Sequence, residues 1–238
     1  MSRIGIFGGM GPSATVDFME KIIRLTPATR DQEHLPVIVA SLPHVPDRSS
    51  AILGRGEDPL PALLRGIDLL NQVEVGVVAI PCNSSHHWYA QMAERSHAPI
   101  IHIAQACVAA IPAVPHARIA ILATRGALAS GFYQAALHAR GLEYVVPDEA
   151  QTQNHVDACI KAIKGGDMAG GTAALNAVFA AMAAAGATAA ILGCTELPVA
   201  ARTADPTPMV LIDSSLELAR ATVTFALEKG WNLPTWPS

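Results

Sequence analysis

The sequence predicts an α/β protein made of two similar halves, and three observations support this. Short apolar, β-branched runs alternate with longer helical patterns along all 238 residues. Most of these runs do not alternate between apolar and polar side chains, as is typical of strands buried on both faces of a parallel sheet. Three of the runs recur in the same order later in the chain. We therefore expect two pseudo-symmetric α/β domains, each with a mostly parallel sheet flanked by helices and with right-handed crossovers.

The predicted strands and helices follow one another in a regular order. Strands are expected at Arg3–Gly8, Val37–Leu42, Val75–Ile80, Ile100–Ile103, Arg118–Ala123, Tyr144–Val146, Ala189–Gly193 and Met209–Ile212. Helices are expected at Ser13–Leu25, Pro59–Gln72, His87–Arg95, Gly131–Arg140, His155–Lys164, Gly171–Ala185 and Ser214–Lys229. Ser13 and Ser214 are the expected N-caps of their helices, because a serine hydroxyl accepts hydrogen bonds from the first free N–H groups.

An internal repeat indicates where the halves divide. Segments at offsets of 115, 112 and 109 residues resemble each other, namely those starting at Ile4 and Ile119, Val75 and Ala187, and Ala98 and Thr207. The second half is expected to begin near residues 105–117. The last predicted helix matches the one that starts near Ala104, so we expect the halves to exchange an element. The predicted domains are 1–104 plus 209–238, and 105–208.

Composition excludes several classes of protein. Hydrophobic residues make up 51% of the chain, charged residues 15%, and the net charge is −4 without a basic block, so nucleic acid is not an expected partner. Four cysteines are too few for a disulfide framework. The most apolar stretch, Ala173–Leu192, is mostly alanine and is interrupted by Gly186, which favours a helix and a strand over a membrane span. We expect a cytoplasmic protein without a membrane partner.

Two of the cysteines occupy matching places in the two halves. Cys82 and Cys194 lie 112 residues apart, each just past a predicted buried strand. Ligands bind beyond the carboxyl ends of the strands in open parallel sheets. A pseudo-twofold axis between the halves would place the two thiols on opposite sides of one cleft. Cys107 and Cys159 fall on helical patterns and are interpreted as packing residues.

The neighbours of the two cysteines favour reactive thiols. Amide and hydroxyl side chains follow each cysteine, in Asn83-Ser84-Ser85-His86 and in Thr195-Glu196. Helix N-termini are expected at both places, and a thiol at a helix N-terminus has a lowered pKa. A thiolate on one side of a bound carbon can remove a proton while a thiol on the other side returns one. The outcome of that chemistry is inversion of a stereocentre.

Three motifs resemble the cofactor-independent aspartate/glutamate racemase family, and in particular its aspartate racemase branch. They are Gly8-Gly9-Met10-Gly11-Pro12, Pro81-Cys82-Asn83-Ser84-Ser85-His86 and Leu192-Gly193-Cys194-Thr195-Glu196-Leu197-Pro198. The resemblance runs the length of the chain in the expected order. It implies two pseudo-symmetric domains with the active site in the interdomain cleft, racemisation by the paired cysteines without pyridoxal phosphate or another cofactor, and a homodimer.

The resemblance also implies which residues bind the substrate. Arg48 and Lys164 match the basic residues that bind carboxylates in the family. A guanidinium can hold a carboxylate with two hydrogen bonds, and an ammonium acts as a point charge. We therefore expect an amino-acid or dicarboxylate substrate, and in particular aspartate or glutamate.

Further substrate contacts are expected from the loops. Backbone amides near Met10 and across Asn83, Ser84 and Ser85 are expected to orient the substrate together with Thr195 and Glu196. Glu196 either accepts a hydrogen bond from the substrate ammonium or holds a neighbouring group. The family commonly has Asn-Thr-Ala-His after the first cysteine, and the two serines of this chain change the shape of the pocket. Side-chain specificity is therefore left open.

A nicotinamide enzyme is a competing interpretation of the first loop. Gly9–Ala14 fits the G-x-G-x-x-A dinucleotide fingerprint after a strand. The second strand, however, runs into Ala40–His44, which lacks the acidic residue that would hold a ribose. The glycines are instead interpreted as letting backbone amides approach a small carboxylate.

The residues around the two cysteines could also serve a different chemistry. A metal site is not expected, because the spacing typical of metal ligands is missing among Cys82, His86, His87, His102 and Cys194. Maleate isomerases and hydantoin racemases are relatives that use two cysteines, whereas arylmalonate decarboxylases keep only one. A non-enzymatic carboxylate-binding protein would need the cations but would have no use for two mirrored thiols.

Overall fold

The computed structural model describes residues 2–113, 117–150 and 152–233, so both outer ends of the first predicted domain, 1–104 plus 209–238, lie outside the described residues. Within them the strands form two parallel sheets, ordered β2-β1-β3 and β5-β4-β6-β7. The strands are β1 (Ile4–Gly8), β2 (Val37–Ser41), β3 (Val77–Ala79), β4 (Arg118–Ala123), β5 (Glu143–Val145), β6 (Ala189–Gly193) and β7 (Val210–Asp213). The predicted fold class, with two similar parallel sheets, is confirmed.

Helices cover both faces of each sheet. They are α1 (Pro12–Leu25), α2 (Arg48–Ile52), α3 (Leu60–Gln72), α4 (Tyr89–Arg95), α5 (Ile103–Ala109), α6 (Arg125–Ser130), α7 (Phe132–Ala139), α8 (Thr152–Lys164), α9 (Met168–Ala184), α10 (Glu196–Ala201) and α11 (Ser214–Glu228), with 3-10 helices at Asp31–Glu33 and Asn83–Trp88.

The central strands are buried on both faces, which explains their unbroken apolar sequence. Every residue of β1 and β6 is buried. Side chains of β1 enter two cores, with Ile4 and Ile6 packed beneath α1 and α11 and Phe7 packed against α3. The edge strands β2 and β5 are partly exposed.

The two halves exchange a helix. Ile100, in the predicted fourth strand of the first half, makes an isolated parallel bridge to Val78. The helix that follows it, α5, packs mainly into the core of the second sheet, whereas α11 at the end of the chain packs beneath the first sheet. The boundary predicted at residue 209 puts β7 in the first half, but β7 pairs with β6 of the second sheet. The strand pairing therefore places the crossing from the second half to the first after Asp213, where β7 ends. The extent of each domain stays a prediction.

The two predicted N-caps are wrong. Helix α1 begins with Pro12, whose missing N–H suits the first helical position. Helix α11 is capped by Asp213, whose side chain accepts hydrogen bonds from the backbone N–H groups of Ser215 and Leu216. Ser214 uses its hydroxyl elsewhere, on the carbonyl of Leu192.

Candidate active site

A cavity of about 80 Å³ lies between the two halves at the carboxyl ends of the strands. The first half contributes Met10, beyond β1, and Cys82, beyond β3. The second half contributes Thr124, which follows β4, and Cys194, which follows β6. The structure thus brings the two cysteines predicted as a pair to one cavity, and both are buried.

A second, larger cavity adjoins the first. Its volume is about 460 Å³. Met10, Arg48, Lys164, Thr195 and Glu196 line both cavities. The larger cavity therefore offers room for part of a ligand whose other part lies between the cysteines.

Three hydrogen bonds hold the loop that carries Cys82. Its backbone N–H donates to the carbonyl oxygen of Ile80 at 2.8 Å, and Nε2 of His86 bonds to the same oxygen at 3.2 Å. The Ser85 hydroxyl donates to the Cys82 carbonyl at 2.8 Å. Ser85 is completely buried and does not line the cavity. It was predicted to contact the substrate, but its side chain stabilises the loop instead.

Cys194 is hydrogen-bonded to an acidic side chain. Its thiol donates to Oε2 of Glu196 at 2.9 Å, and the Thr195 hydroxyl donates to the same oxygen at 3.1 Å. Burial and the negative charge of Glu196 raise the pKa of Cys194 well above its usual value, and the charge of Lys164 opposes this. The expectation of a lowered pKa at this thiol is wrong, because desolvation and a nearby carboxylate outweigh the start of the short helix α10.

Arg48 is fixed by backbone carbonyls. Its Nη1 donates to the carbonyl oxygens of Val45 and Pro46, both at 3.0 Å, and its Nη2 donates to that of Met10 at 3.3 Å. Its Nε is buried and has no partner among the described residues. An anion bound at the guanidinium edge formed by Nε and Nη2 would give this Nε its missing acceptor.

Arg48 is the first residue of α2, which Asp47 caps. Burial raises the pKa of Asp47, but hydrogen bonds from Ser50 and the charges of Arg48 and Lys164 outweigh it and lower that pKa. The carboxylate therefore stays ionised, caps the helix and adds negative charge beside the cavity that it lines. Asp47 was not predicted as a site residue.

Lys164, the last residue of α8, faces the same site from the second half. Its Nζ lies 4.0 Å from Oε1 of Glu196, and 62% of its side chain is exposed. Such a long, exposed pair holds the ammonium weakly. Lys164 is therefore free to turn toward an anion in either cavity.

Polar side chains complete the cavity wall. Ser84 and Thr124 share a hydrogen bond of 3.1 Å across the two halves. The amide of Asn83 donates to Oγ of Ser214 at 3.1 Å and accepts from the Tyr133 hydroxyl at 2.5 Å. Thr124 was missed as a site residue, although the rule that selected Cys82 and Cys194, a polar residue just past a buried strand, applies to it as well.

The glycines of the first loop do more for packing than for ligand contact. A Cβ on Gly8 would lie 2.3 Å from the Thr15 side chain, and one on Gly9 would lie 2.2 Å from the backbone of Leu42. The N–H of Gly9 donates to the Thr15 hydroxyl at 2.8 Å. The expectation that these amides approach a carboxylate therefore does not hold for Gly9.

The histidines form an aromatic cluster. His86 and His102 have ring centroids 5.0 Å apart, and Nδ1 of His102 accepts from the backbone N–H of Ala104. Burial, together with the charge of His102, lowers the pKa of His86 to about 3. No group of three or more His, Cys, Asp and Glu residues suited to a metal ion occurs in the described part of the chain. No helix within that part is long and apolar enough to cross a membrane.

Comparison with known families assigns the chain to a family. The profile of the Asp/Glu/hydantoin racemase family matches residues 7–222. The chain belongs to this family. The predicted resemblance is confirmed, and this racemase is an isomerase, as predicted. The interpretations as a nicotinamide enzyme and as a non-enzymatic binding protein are set aside.

Individual relatives cover nearly the whole racemase chain. The broad specificity amino-acid racemase RacX of Bacillus subtilis (strain 168) is 29% identical over 225 residues, which are 93% of this chain and 96% of that protein. The aspartate racemase of Picrophilus torridus is 27% identical with a TM-score of 0.82, over 95% of this chain and 94% of that one. Glutamate racemase RacE1 of Bacillus anthracis, 19% identical with a TM-score of 0.71 over 98% of this chain and 84% of that one, shares the fold.

Proposed function

We propose that this racemase inverts the Cα of an acidic amino acid, aspartate or glutamate, without pyridoxal phosphate, with Cys82 and Cys194 as its two acid–base groups. The observation that carries the proposal is that these cysteines, 112 residues apart, line one cavity from the two halves. The names of the relatives support an amino-acid substrate, and one of them is an aspartate racemase. A cytoplasmic homodimer is part of the same proposal.

The two thiols have different starting roles. The Cys194 thiol donates its hydrogen to Glu196, so Cys194 begins as the acid and Cys82 begins as the base. Cys82 takes the Cα proton, and the electron pair of the C–H bond moves into the α-carboxylate. Cys194 then gives its proton to the opposite face of Cα, which leaves Cys82 as a thiol and Cys194 as a thiolate. The charge of Lys164 stabilises that thiolate, and the opposite enantiomer reverses the steps.

Arg48 supplies the main carboxylate contact in this mechanism. Three backbone carbonyls hold its guanidinium in place, and its buried Nε has no partner among the described residues. A carboxylate that accepts from Nε and Nη2 satisfies this orphaned donor with two charge-assisted hydrogen bonds. Negative charge on the α-carboxylate grows as the proton leaves, so a preorganised cation lowers the barrier at that step.

The adjoining cavity provides the place for the substrate side chain. It is lined by Arg48 and Lys164, by the apolar side chains of Ile163 and Val199, and by Asp17. With Arg48 on the α-carboxylate, Lys164 favours a second carboxylate, as in aspartate or glutamate. The apolar wall and the volume of about 460 Å³ also leave space for other side chains.

The direct test of this proposal is solvent-deuterium exchange at Cα, followed by NMR under reducing conditions. The panel contains L- and D-aspartate and L- and D-glutamate, other amino acids, a 5-substituted hydantoin and maleate. We expect exchange and racemisation with at least one acidic amino acid, and no effect of the carbonyl reagent hydroxylamine, which would inactivate a pyridoxal phosphate enzyme. No exchange with any of the amino acids contradicts the proposal, and conversion of maleate to fumarate instead identifies a maleate isomerase.

A further inference from the structure

A buried chain of hydrogen bonds runs behind both cysteines and joins the two halves. It starts at the carbonyl of Leu192 in β6, two residues before Cys194, which accepts from the Ser214 hydroxyl at 2.8 Å. Ser214 accepts from Nδ2 of Asn83 at 3.1 Å, and Oδ1 of Asn83 accepts from the Tyr133 hydroxyl at 2.5 Å. Asn83 directly follows Cys82, so the chain connects the segments that carry the two thiols.

The direction of every bond in this chain follows from its first acceptor. A carbonyl oxygen can only accept, so the single hydroxyl proton of Ser214 points to Leu192. Ser214 Oγ can then only accept, so the Asn83 atom that lies 3.1 Å from it has to be an N–H rather than the amide oxygen. Oδ1 of Asn83 therefore faces Tyr133, whose hydroxyl donates to it. The donor and acceptor assignments along the chain thus set the orientation of the Asn83 amide, whose nitrogen and oxygen could otherwise be interchanged.

The fixed orientation leaves one donor for the cavity. Nδ2 of Asn83 carries two hydrogens, and Ser214 takes one of them. The other has no acceptor among the described residues, and Asn83 lines the cavity between the cysteines. Asn83 thus offers the site an N–H group, suited to a carboxylate, and turns its carbonyl oxygen away from any ammonium.

Tyr133 and Ser214 do not reach the cavity themselves. Both are completely buried, and neither lines the cavity. Tyr133 belongs to α7 of the second half, whereas Ser214 begins α11, the helix that crosses to the first sheet. Burial raises the pKa of Tyr133 well above its usual value, so its hydroxyl stays protonated and keeps donating.

We propose that Tyr133 and Ser214 are positioning residues that hold the Asn83 amide with its free N–H toward the substrate carboxylate. The proposal rests on the proposed racemase function. Loss of either hydroxyl frees the amide to rotate and to present its oxygen to the carboxylate, which repels it. The expected loss in kcat/KM is about 10- to 100-fold for Ser214→Ala and for Tyr133→Phe, the range for one hydrogen bond to a charged group.

The test is a mutant cycle with Asn83→Ala. Racemisation is measured for Ser214→Ala and Tyr133→Phe in the natural chain and again in an Asn83→Ala background, together with inhibition by the deaminated analogue of the best substrate (succinate for aspartate). We expect both variants to weaken catalysis and succinate binding in the natural chain. In the Asn83→Ala background we expect no further loss, because the amide through which they act is gone.

Two variants serve as matched controls. Thr222→Val removes a buried hydroxyl from the same helix as Ser214, where it donates only to the Leu218 carbonyl. Tyr89→Phe removes a tyrosine hydroxyl that donates to the Ile100 carbonyl. Both controls should keep kcat/KM within about threefold, since neither hydroxyl bonds to Asn83. Melting temperatures show whether each variant is folded. If one of Ser214→Ala and Tyr133→Phe does not fold, the other still forms a complete mutant cycle with Asn83→Ala.

The outcomes separate this proposal from the function on which it rests. Unchanged kcat/KM in both variants, or an equal loss with and without Asn83, overturns the positioning role while racemisation by the natural chain still stands. Weakened catalysis with unchanged succinate inhibition overturns the assignment of Asn83 as a carboxylate donor. Absence of racemisation in the natural chain overturns the proposed function itself.

Discussion

Glu196 makes the two thiols of the site unequal. It accepts the thiol hydrogen of Cys194 at 2.9 Å, and its charge helps to raise the pKa of that thiol. In the proposed mechanism the enzyme binds two mirror-image substrates, yet its resting state contains one base and one acid. The Glu196 carboxylate provides this asymmetry by keeping the proton on Cys194.

Replacing Glu196 with glutamine should make Cys194 more acidic. The glutamine oxygen can still accept the thiol hydrogen, but the negative charge is lost and Lys164 no longer has its partner. A lower pKa means more thiolate, although each thiolate is then a weaker nucleophile, so iodoacetamide should alkylate Cys194 several-fold faster near neutral pH. Mass spectrometry of the modified peptides measures the rate. Glu149→Gln, at a solvated glutamate, is the control, and an unchanged rate at Cys194 in Glu196→Gln would refute the assignment.

The free energy of unfolding should decrease at acidic pH because of His86. Burial and the charge of His102 lower the pKa of His86 from 6.5 to about 3, so the folded state favours the neutral ring. This contribution is complete above pH 6.5 and is lost as the pH falls toward 3, by at most about 1.4 kcal/mol per pH unit. Urea unfolding across this range should therefore show a steeper loss of stability in the natural chain than in His86→Leu. The control variant His87→Gln, at an exposed neighbour, should lose stability with falling pH as steeply as the natural chain. Equal slopes of stability against pH in all three proteins would contradict this role of His86.

Site residues with reactive or charged side chains could be predicted from sequence motifs. Residues that act by positioning others could not be predicted in this way. Cys82, Cys194, Arg48 and Glu196 were predicted and all line the cavity. Ser85 sits in the same motif but turns inward to the Cys82 carbonyl, because a 3-10 helix directs successive side chains to different sides. Tyr133 and Ser214 reach Asn83 only through folding, so no local pattern marks them.

A tight contact between short helices closes one side of the site. The N–H of Gly126, in α6 of the second half, donates to the hydroxyl of Ser49 in α2 at 3.0 Å. A Cβ on Gly126 would lie 2.5 Å from that hydroxyl oxygen and 2.7 Å from the Cα of Ser49. Only glycine allows this approach, and Ser49 directly follows Arg48. The contact therefore sets how closely the Arg48 segment lies against the second half.

Gly126→Ala should weaken substrate binding by pushing α2 away from α6. The displacement moves Arg48 while both cysteines stay on their own strands, so we expect KM to rise about tenfold, with a smaller change in kcat. Steady-state racemisation kinetics separate the two effects. Ala129→Ser on the exposed side of α6 is the control, and a fall confined to kcat would show that the contact acts on the thiols instead.

Central strands were predicted better than short helices. The limits of β4 and β6 agree with the prediction, because runs of branched apolar residues ending in small ones mark central strands clearly. Helices α2, α6 and α10 were missed, since five or six residues are too few to show a helical period. They begin just past strands or loops at the site, and α2 supplies Arg48 and Ser49.

At the scale of the whole molecule, the exchange of α5 and α11 ties the folding of the two halves together. Leu218 and Val223 of α11 complete the core of the first sheet, and Cys107 and Val108 of α5 that of the second. Neither sheet can bury its apolar face with its own consecutive segment alone. We therefore expect thermal unfolding in one cooperative transition, with equal calorimetric and van't Hoff enthalpies. Two resolved transitions in the calorimetric trace would show that the halves unfold independently.

The similarity of the two halves places one thiol from each half at one cavity. The proposed mechanism depends on this placement more than on any other feature. The most direct test is Cα exchange in D2O by Cys82→Ala and Cys194→Ala, with Cys159→Ala, at a buried core thiol, as the control. We expect each site variant to lose racemisation by at least about 100-fold, while the control retains it. The remaining thiol should still exchange the Cα hydrogen of one enantiomer with retention, and the two variants should select opposite enantiomers. Racemisation that survives in either variant, or exchange of the same enantiomer by both, would contradict two thiols acting on opposite faces of one carbon.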